Sequence, residues 1–413
     1  MLLYIDPGTG SMLFTILIGV IGAAFYALRN LIVKIQFVLS GGREAKMNEN
    51  KLPYVIYTDS KRYWNSFESI CDEFEKRGLP LTYMTSSPDD EALEKDYKHV
   101  KCEFIGEGNK AFAKLNLLNA SVLLSTTPGL DVYQWKRSRN VDWYVHIPHA
   151  AGDLTMYRMF GIDYYDSILT CGQYQIDQIR DLEHVRNLPE KEMEIVGIPY
   201  LDAMKRRLDA AAPLENHEKT VLLAPSWGPS AILSKYGERM IDALLATGYH
   251  IVVRPHPQSF TSEKDMLDKL MDKYPALEWN KDNDNFEVLR RADILISDFS
   301  GVIFDYALVF DKPVIYADTQ FDDAIYDCCW LEDETWTFQT LPRIGQSLKE
   351  ENIDNIKSVI DECIASEKYQ AARDRAREEA WQCQLDGAAN ITDYMIKSHD
   401  RILAEQEAAK KMK

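Results

Sequence analysis

From Pro53 onward the chain alternates short, unbroken apolar runs with longer stretches whose apolar positions recur at helical spacing. The short runs lie at residues 53–58 (PYVIYT), 81–84 (LTYM), 102–106 (CEFIG), 121–129 (SVLLSTTPG), 143–149 (WYVHIPH), 167–172 (SILTCG) and 194–199 (EIVGIP). Continuous rather than alternating apolar character predicts strands buried on both faces, as in a parallel sheet covered by helices. A charged stretch at 208–219 (LDAAAPLENHEK) interrupts the pattern. The alternation restarts with VLLAPSWG at 221–228, HIVVRPHP at 250–257, ILISDFSG at 294–301 and PVIYA at 313–317. Two doubly wound α/β units joined by a linker predict a cleft between two Rossmann-like domains, 53–207 and 219–395. The chain from about Asn352 reads as charged and helical, with a tail at 396–413.

The first 42 residues follow a different rule. Residues 11–28 (SMLFTILIGVIGAAFYAL) are 18 positions without a charge. At about 1.5 Å per residue such a helix just crosses a bilayer core of about 30 Å. Snorkelling by Lys34 would extend it to about residue 39. No Lys or Arg precedes the run, whereas Arg29, Lys34, Arg43, Lys46 and Lys51 follow it. That asymmetry argues against a cleaved signal peptide and predicts a retained single-pass anchor in a bacterial cell membrane, with the body on the cytoplasmic side.

Composition narrows the chemistry. The 413 residues carry a formal net charge of -18, which disfavours nucleic acid as a partner. A phosphate-handling site in such a chain has to be a local island of Arg, His and backbone N–H groups. Seven cysteines with no C-x-x-C pair fit neither a zinc site nor a disulfide framework.

Ligands of open α/β sheets bind beyond the carboxyl ends of strands, and four clusters fall there. The first is His146-Ile-Pro-His149-Ala-Ala-Gly-Asp153. On an extended strand the two histidines face opposite ways, so one enters the cleft, and His149 is the candidate general base. The second is Arg254-Pro255-His256-Pro257, a proline-stiffened turn presenting a guanidinium fork and an imidazole suited to phosphate. The third runs from Ser297 through Asp298, Ser300 and Gly301 to Asp305, a strand entering a helix whose N-terminus attracts anions. Ser297, Ser300 and Gly301 are candidates for the phosphate site. Asp298 and Asp305 are candidates for Mg²⁺ ligation, with Asp298 equally placed to orient His256 or cap a helix. No metal is assigned. The fourth cluster, Ala224-Pro225-Ser226-Trp227-Gly228, adds Ser226 as an orienting or capping group.

In this order the clusters resemble the CDP-glycerol glycerophosphotransferase family, which primes and polymerises teichoic acids. Arg254-Pro255-His256-Pro257 matches the family's R-x-H-P, and the segment Ser297 to Asp305 its T-D-Y-S-S-x-x-F-D. Residues 197–202 (GIPYLD) resemble G-x-P-R-x-D, and residues 223–227 resemble A-P-T-W. The family turn H-G-T-P-x-K is H-A-A-G-D here, its Arg is Tyr200 and the second Ser of S-S is Gly301. The resemblance implies a GT-B-like fold, with acceptor held by the first domain and the CDP donor by the second. It also implies that His149 and His256 are catalytic. The expected reaction moves glycerol phosphate, or a related polyol phosphate, to a hydroxyl of a cell-envelope polymer or lipid-linked acceptor, releasing CMP. Two rivals stand beside it: a GT-B glycosyltransferase or nucleotide-sugar epimerase, and a non-catalytic membrane-tethered scaffold.

Overall fold

A computed structural model describes residues 51–215 and 218–412. The expected anchor at 11–28 lies outside the described residues. Among those that are described, no helix is long and apolar enough to cross a membrane.

Two wholly parallel sheets organise the described chain. The first has the order β3-β2-β1-β4-β5-β6-β7, built from β1 (Leu52–Thr58), β2 (Leu81–Thr85), β3 (Val100–Phe104), β4 (Asn119–Ser125), β5 (Asn140–His146), β6 (Ser167–Thr170) and β7 (Glu192–Ile195). The second has the order β10-β9-β8-β11-β12-β13, built from β8 (Thr220–Leu223), β9 (His250–Val253), β10 (Glu278–Trp279), β11 (Ile294–Ser297), β12 (Val314–Ala317) and β13 (Gln346–Leu348). The apolar runs become strands for a simple reason: both faces of each central strand are packed. Along β1, Tyr54 and Ile56 enter one core while Val55 and Tyr57 enter the core on the other face. Along β8, Val221 and Leu223 divide in the same way from Leu222. The two strands that the sequence pattern does not mark, β10 and β13, are edge strands of two and three residues.

The chain order reverses between β1 and β4 in the first sheet and between β8 and β11 in the second. At such a switch point the loops leaving adjacent strands part and open a crevice.

The end of the chain differs from the expected division at residue 395, which falls inside one continuous helix, Gly387–Lys411. Ile391, Tyr394, Met395 and Ile402 of that helix pack with Tyr54 and Phe74 of the first unit. The preceding helix, Gln370–Ala380, places Ala372, Ala376 and Ala380 in a core with Leu222 and Leu295 of the second sheet. The chain therefore crosses back between 381 and 387.

The segment Gly197 to Asp202 pins this crossing. Gly197 has φ +95° and lies so close to the returning chain that an added Cβ would sit 2.9 Å from the Gln382 and Cys383 carbonyl oxygens. The buried Asp202 carboxylate accepts from the Trp381 indole N–H at 2.8 Å, Leu385 N–H at 2.8 Å and Gly387 N–H at 2.9 Å. Removing it strands these donors and loses charge-assisted hydrogen bonds. Asp202→Ala should cost about 3 kcal/mol in a urea denaturation series, with Asp202→Asn intermediate because one oxygen still accepts.

Candidate active site

The loops that leave the two switch points converge on a pair of adjoining cavities of about 210 and 330 Å³. Tyr63, His149, Ala150, His256, Ser300 and Gly301 line both. Arg62, Arg254 and Asp305 belong to the smaller cavity, Ser226 and Trp227 to the larger. Groups from the first sheet's β1 and β5 loops thus meet groups from the β8, β9 and β11 loops of the second.

His146 is the last residue of β5, and His149 lies in the loop beyond it. The strand-face argument therefore does not apply to the pair, although His149 is the one that reaches the cavities. His146 is fully buried between Tyr157 and Tyr165, neither of its ring nitrogens has a hydrogen-bond partner, and burial pushes it down to about 3. His149 Nδ1 lies 3.3 Å from both the Thr126 and the Tyr157 hydroxyl oxygens. Tyr157 also stacks beside its ring, and burial pushes the imidazole down to about 4. It is therefore neutral at physiological pH. Either hydroxyl can accept a proton from Nδ1, and in that tautomer Nε2 is the basic nitrogen.

The tautomer of His256 is set by a backbone N–H. Its Nδ1 accepts from the Gln258 backbone N–H at 3.1 Å, so the neutral ring carries its proton on Nε2. Burial first and Arg62 second push it down to about 4. It can donate to an anion without being charged. Neighbouring Arg254 directs one guanidinium nitrogen to the Asn280 side chain and another toward the Asn283 carbonyl at 3.4 Å. Those bonds fix the fork at the cavity wall.

After β11, one α-helical turn (Val302–Phe304) runs directly into a π-helix (Asp305–Phe310), a form often found at functional sites. Ser300 and Gly301 lead into it and line the cavities. Ser297 does not join them. Its side chain is fully buried and donates to the Ala224 carbonyl at 2.5 Å, because the last strand residue still obeys the inward alternation of the sheet. Asp298 accepts from Ser226 N–H at 2.8 Å and from Ile232 N–H at 3.0 Å. It thereby caps the helix Ile232–Leu245 and ties the β8 and β11 loops together, and burial raises it to about 6. Both oxygens are occupied, which suits it neither to a metal nor to orienting His256. Among the described residues no group of three or more His, Cys, Asp or Glu forms a metal-holding set. Asp305 is different. One oxygen accepts from the Tyr200 hydroxyl at 3.4 Å, the other is buried without a partner, and burial raises the group to about 7.

Four contributors carry no motif: Arg62, Tyr63, Thr126 and Tyr157. Arg62 donates to the Pro257 carbonyl at 3.1 Å, reaching from the β1 loop to the His256 turn. The Tyr63 ring lies 5.0 Å from that of His149. The signal available for three of them was position, since Arg62 and Tyr63 follow β1 and Thr126 follows β4, the strands flanking the switch point.

Two parallel α/β sheets with paired cavities at their facing strand ends define a GT-B-like protein whose cleft is equipped to hold an anion. The chain belongs to the CDP-glycerol:poly(glycerophosphate) glycerophosphotransferase family, whose family model matches residues 132–375. It is a transferase that uses a CDP-glycerol donor. In fold it resembles the wall teichoic acid polymerase TagF soaked with CDPG, at TM-score 0.56 and 16% identity over 91% of this chain and 98% of that one. It also resembles a Listeria monocytogenes protein described as a UDP-N-acetylglucosamine 2-epimerase, at TM-score 0.52 and 15% identity over 84% and 96%. No curated protein sequence matches the chain.

Two departures from the family motifs face each other. A Cβ added at Gly301 would lie 3.2 Å from the Ala150 methyl. Where the motifs pair Gly with Ser, this chain pairs Ala with Gly, so the side chain at this contact stands on the Ala150 wall. Gly301→Ser should therefore lower stability and donor affinity, and Ala150→Gly should restore them. A double-mutant cycle in thermal unfolding should give a favourable coupling of about 1 kcal/mol. Simple additivity would remove the contact from the account.

Proposed function

We propose that this enzyme transfers glycerol phosphate from CDP-glycerol to a hydroxyl of a cell-envelope acceptor, with the chemistry centred on the junction of the two cavities. The observation that carries this reading is the meeting of His149, from the first sheet, with His256, Arg254 and Ser300, from the second. The smaller cavity takes the nucleotide and pyrophosphate, because its wall holds both guanidinium groups, Arg62 and Arg254.

Transfer is then mainly a matter of positioning and charge stabilisation. The acceptor oxygen attacks the β-phosphorus, the bond to the bridging oxygen breaks, and CMP leaves. His149 Nε2 receives the hydroxyl proton. His256 Nε2–H donates to the pyrophosphate, beside the guanidinium groups and the amide end of the helix that begins at Val302. Both histidines are depressed by burial, and a bound diphosphate opposes that depression by favouring the imidazolium forms. The hydropathy of residues 11–28 and the basic residues after them support a single-pass anchor that holds the body at the cytoplasmic face of a bacterial membrane.

A donor screen tests the reading: CMP release from CDP-glycerol or CDP-ribitol, against UDP release from UDP-sugars. The first is expected; the second would favour a glycosyltransferase or an epimerase, and turnover of neither would favour a scaffold. His149→Ala should lower turnover by about 10²–10⁴-fold while donor binding survives. His256→Ala should damage both. Arg254→Ala and Arg62→Ala should each weaken donor binding roughly tenfold to a hundredfold in calorimetry, with partial rescue by Lys. His146→Ala should lose stability and keep donor affinity.

A further inference from the structure

The crossing at Asp202 is one junction between the two halves. A second lies where residues 153–161, beyond β5, meet residues 325–337, beyond β12. It is built as an exchange of carboxylates. Asp153 of the first half accepts from the Trp336 and Thr337 backbone N–H groups at 2.9 and 2.8 Å, where the helix Trp336–Ile344 begins. Asp327 of the second half accepts from the Phe160 and Gly161 backbone N–H groups at 2.7 and 3.2 Å. Both carboxylates are buried, so parting the halves here would strand two charges and four donors at once.

Between the two carboxylates the backbones pair. Asp327 N–H donates to the Tyr157 carbonyl at 2.9 Å, Met159 N–H donates to the Ile325 carbonyl at 3.3 Å, and Arg158 and Tyr326 form an antiparallel bridge. Arg186, the last residue of the helix Gln173–Arg186, pairs with both Asp327 and Asp163. Its side chain is 5% exposed, and its guanidinium lies 4.9 and 5.2 Å from the Phe160 and Trp330 rings. Phe160 has φ +67°, a conformation that a bulky residue keeps only where its surroundings impose it, and its N–H is held by Asp327.

Tyr157 connects this clasp to the chemistry. Its carbonyl is bonded to Asp327, its hydroxyl lies 3.3 Å from His149 Nδ1, and its ring stacks beside the imidazole at 6.1 Å. His149 also faces Tyr63 from the β1 loop, His146 at the end of β5 and His256 from the second half. Of these neighbours, Tyr157 is the one whose backbone Asp327 holds. We propose that Asp327 and Arg186 are positioning residues for the transfer reaction: their clasp seats Tyr157 against His149, so that the second half sets the geometry of a base carried by the first. The role of His149 in this assignment rests on the transfer reading above. Releasing Tyr157 uncovers one face of the imidazole to water, and the depression caused by burial is relieved.

The folded full-length enzyme gives two independent readouts: nitrogen-detected NMR titration of His149, and kcat for CMP release beside CDP-glycerol affinity by calorimetry. Asp327→Asn keeps one acceptor and loses the pairing with Arg186. It should raise the His149 midpoint from about 4 to above about 5, on the way to the ordinary value of about 6.5. It should lower kcat roughly tenfold to a hundredfold while CDP-glycerol affinity stays within about threefold. Arg186→Met should do the same, and Arg186→Lys should recover part, since the ammonium keeps the charge without the fork. Tyr157→Ala uncovers His149 directly, and adding Asp327→Asn to it should move the midpoint no further. Thermal unfolding checks that each variant is folded, and Arg186→Met carries the test in place of an unfolded Asp327→Asn. An unmoved His149 midpoint in the folded variants, or a shift that adds fully to that of Tyr157→Ala, overturns the assignment. A proportionate loss of donor affinity and kcat marks a general loosening of the fold and overturns it as well. A wild-type enzyme that releases no CMP overturns the transfer reading and the part of Asp327 in turnover, while the His149 midpoints still decide whether the clasp seats Tyr157.

Discussion

Everything at the active site depends on holding two strand-end edges face to face, and the Asp202 carboxylate is the point where that constraint is concentrated. It accepts from Trp381, Leu385 and Gly387, the turn by which the chain leaves the second half and returns to the first. In a parallel sheet every loop that follows a strand emerges on the same edge, so each half presents its functional groups on one rim only. The motif that contains Asp202 is therefore explained by architecture: its Gly permits the close approach and its Asp fixes the returning turn.

Bringing two rims together also buries polar groups, and this sets the chemistry. The two cleft histidines are desolvated enough to be neutral, and they differ in the partners of Nδ1. One has its Nδ1 between two hydroxyls and leaves a basic nitrogen. The other accepts a backbone N–H and leaves a donor. In the proposed transfer one residue type supplies both a base and an anion ligand, distinguished by the partner of Nδ1. Among the cavity-lining residues positive charge is left to Arg62 and Arg254, both in the wall of the smaller cavity.

Much of this was legible in the sequence, because burial on both faces writes strands as unbroken apolar runs and function follows the strand ends. That reasoning leads to His149, Arg254, His256, Ser300, Gly301 and Asp305, all of which line the cavities. Ser297 was not a cleft residue, since a strand's last side chain still follows the pleat. The edge strands at Glu278–Trp279 and Gln346–Leu348 are too short to have a period. The destination of the helix Gly387–Lys411 was hidden because an amphipathic pattern says that a face is buried but not against which sheet. Arg62 and Thr126 follow the strands that flank the switch point, but their contacts, with Pro257 and His149, are with residues distant in the chain, and no local pattern announces them. The paired change at Ala150 and Gly301 read as two separate losses until their proximity made it one exchange.

The central claim is that desolvation in this cleft keeps His256 neutral, with its proton on Nε2 ready for the donor pyrophosphate. Nitrogen-detected NMR of the imidazoles across pH, without and with CDP-glycerol, measures this directly. The account predicts an Nε2–H tautomer in the free enzyme that titrates only near about 4, and a midpoint that moves upward when CDP-glycerol binds. A His256 signal that titrates near the ordinary value of about 6.5 and does not respond to CDP-glycerol would contradict it.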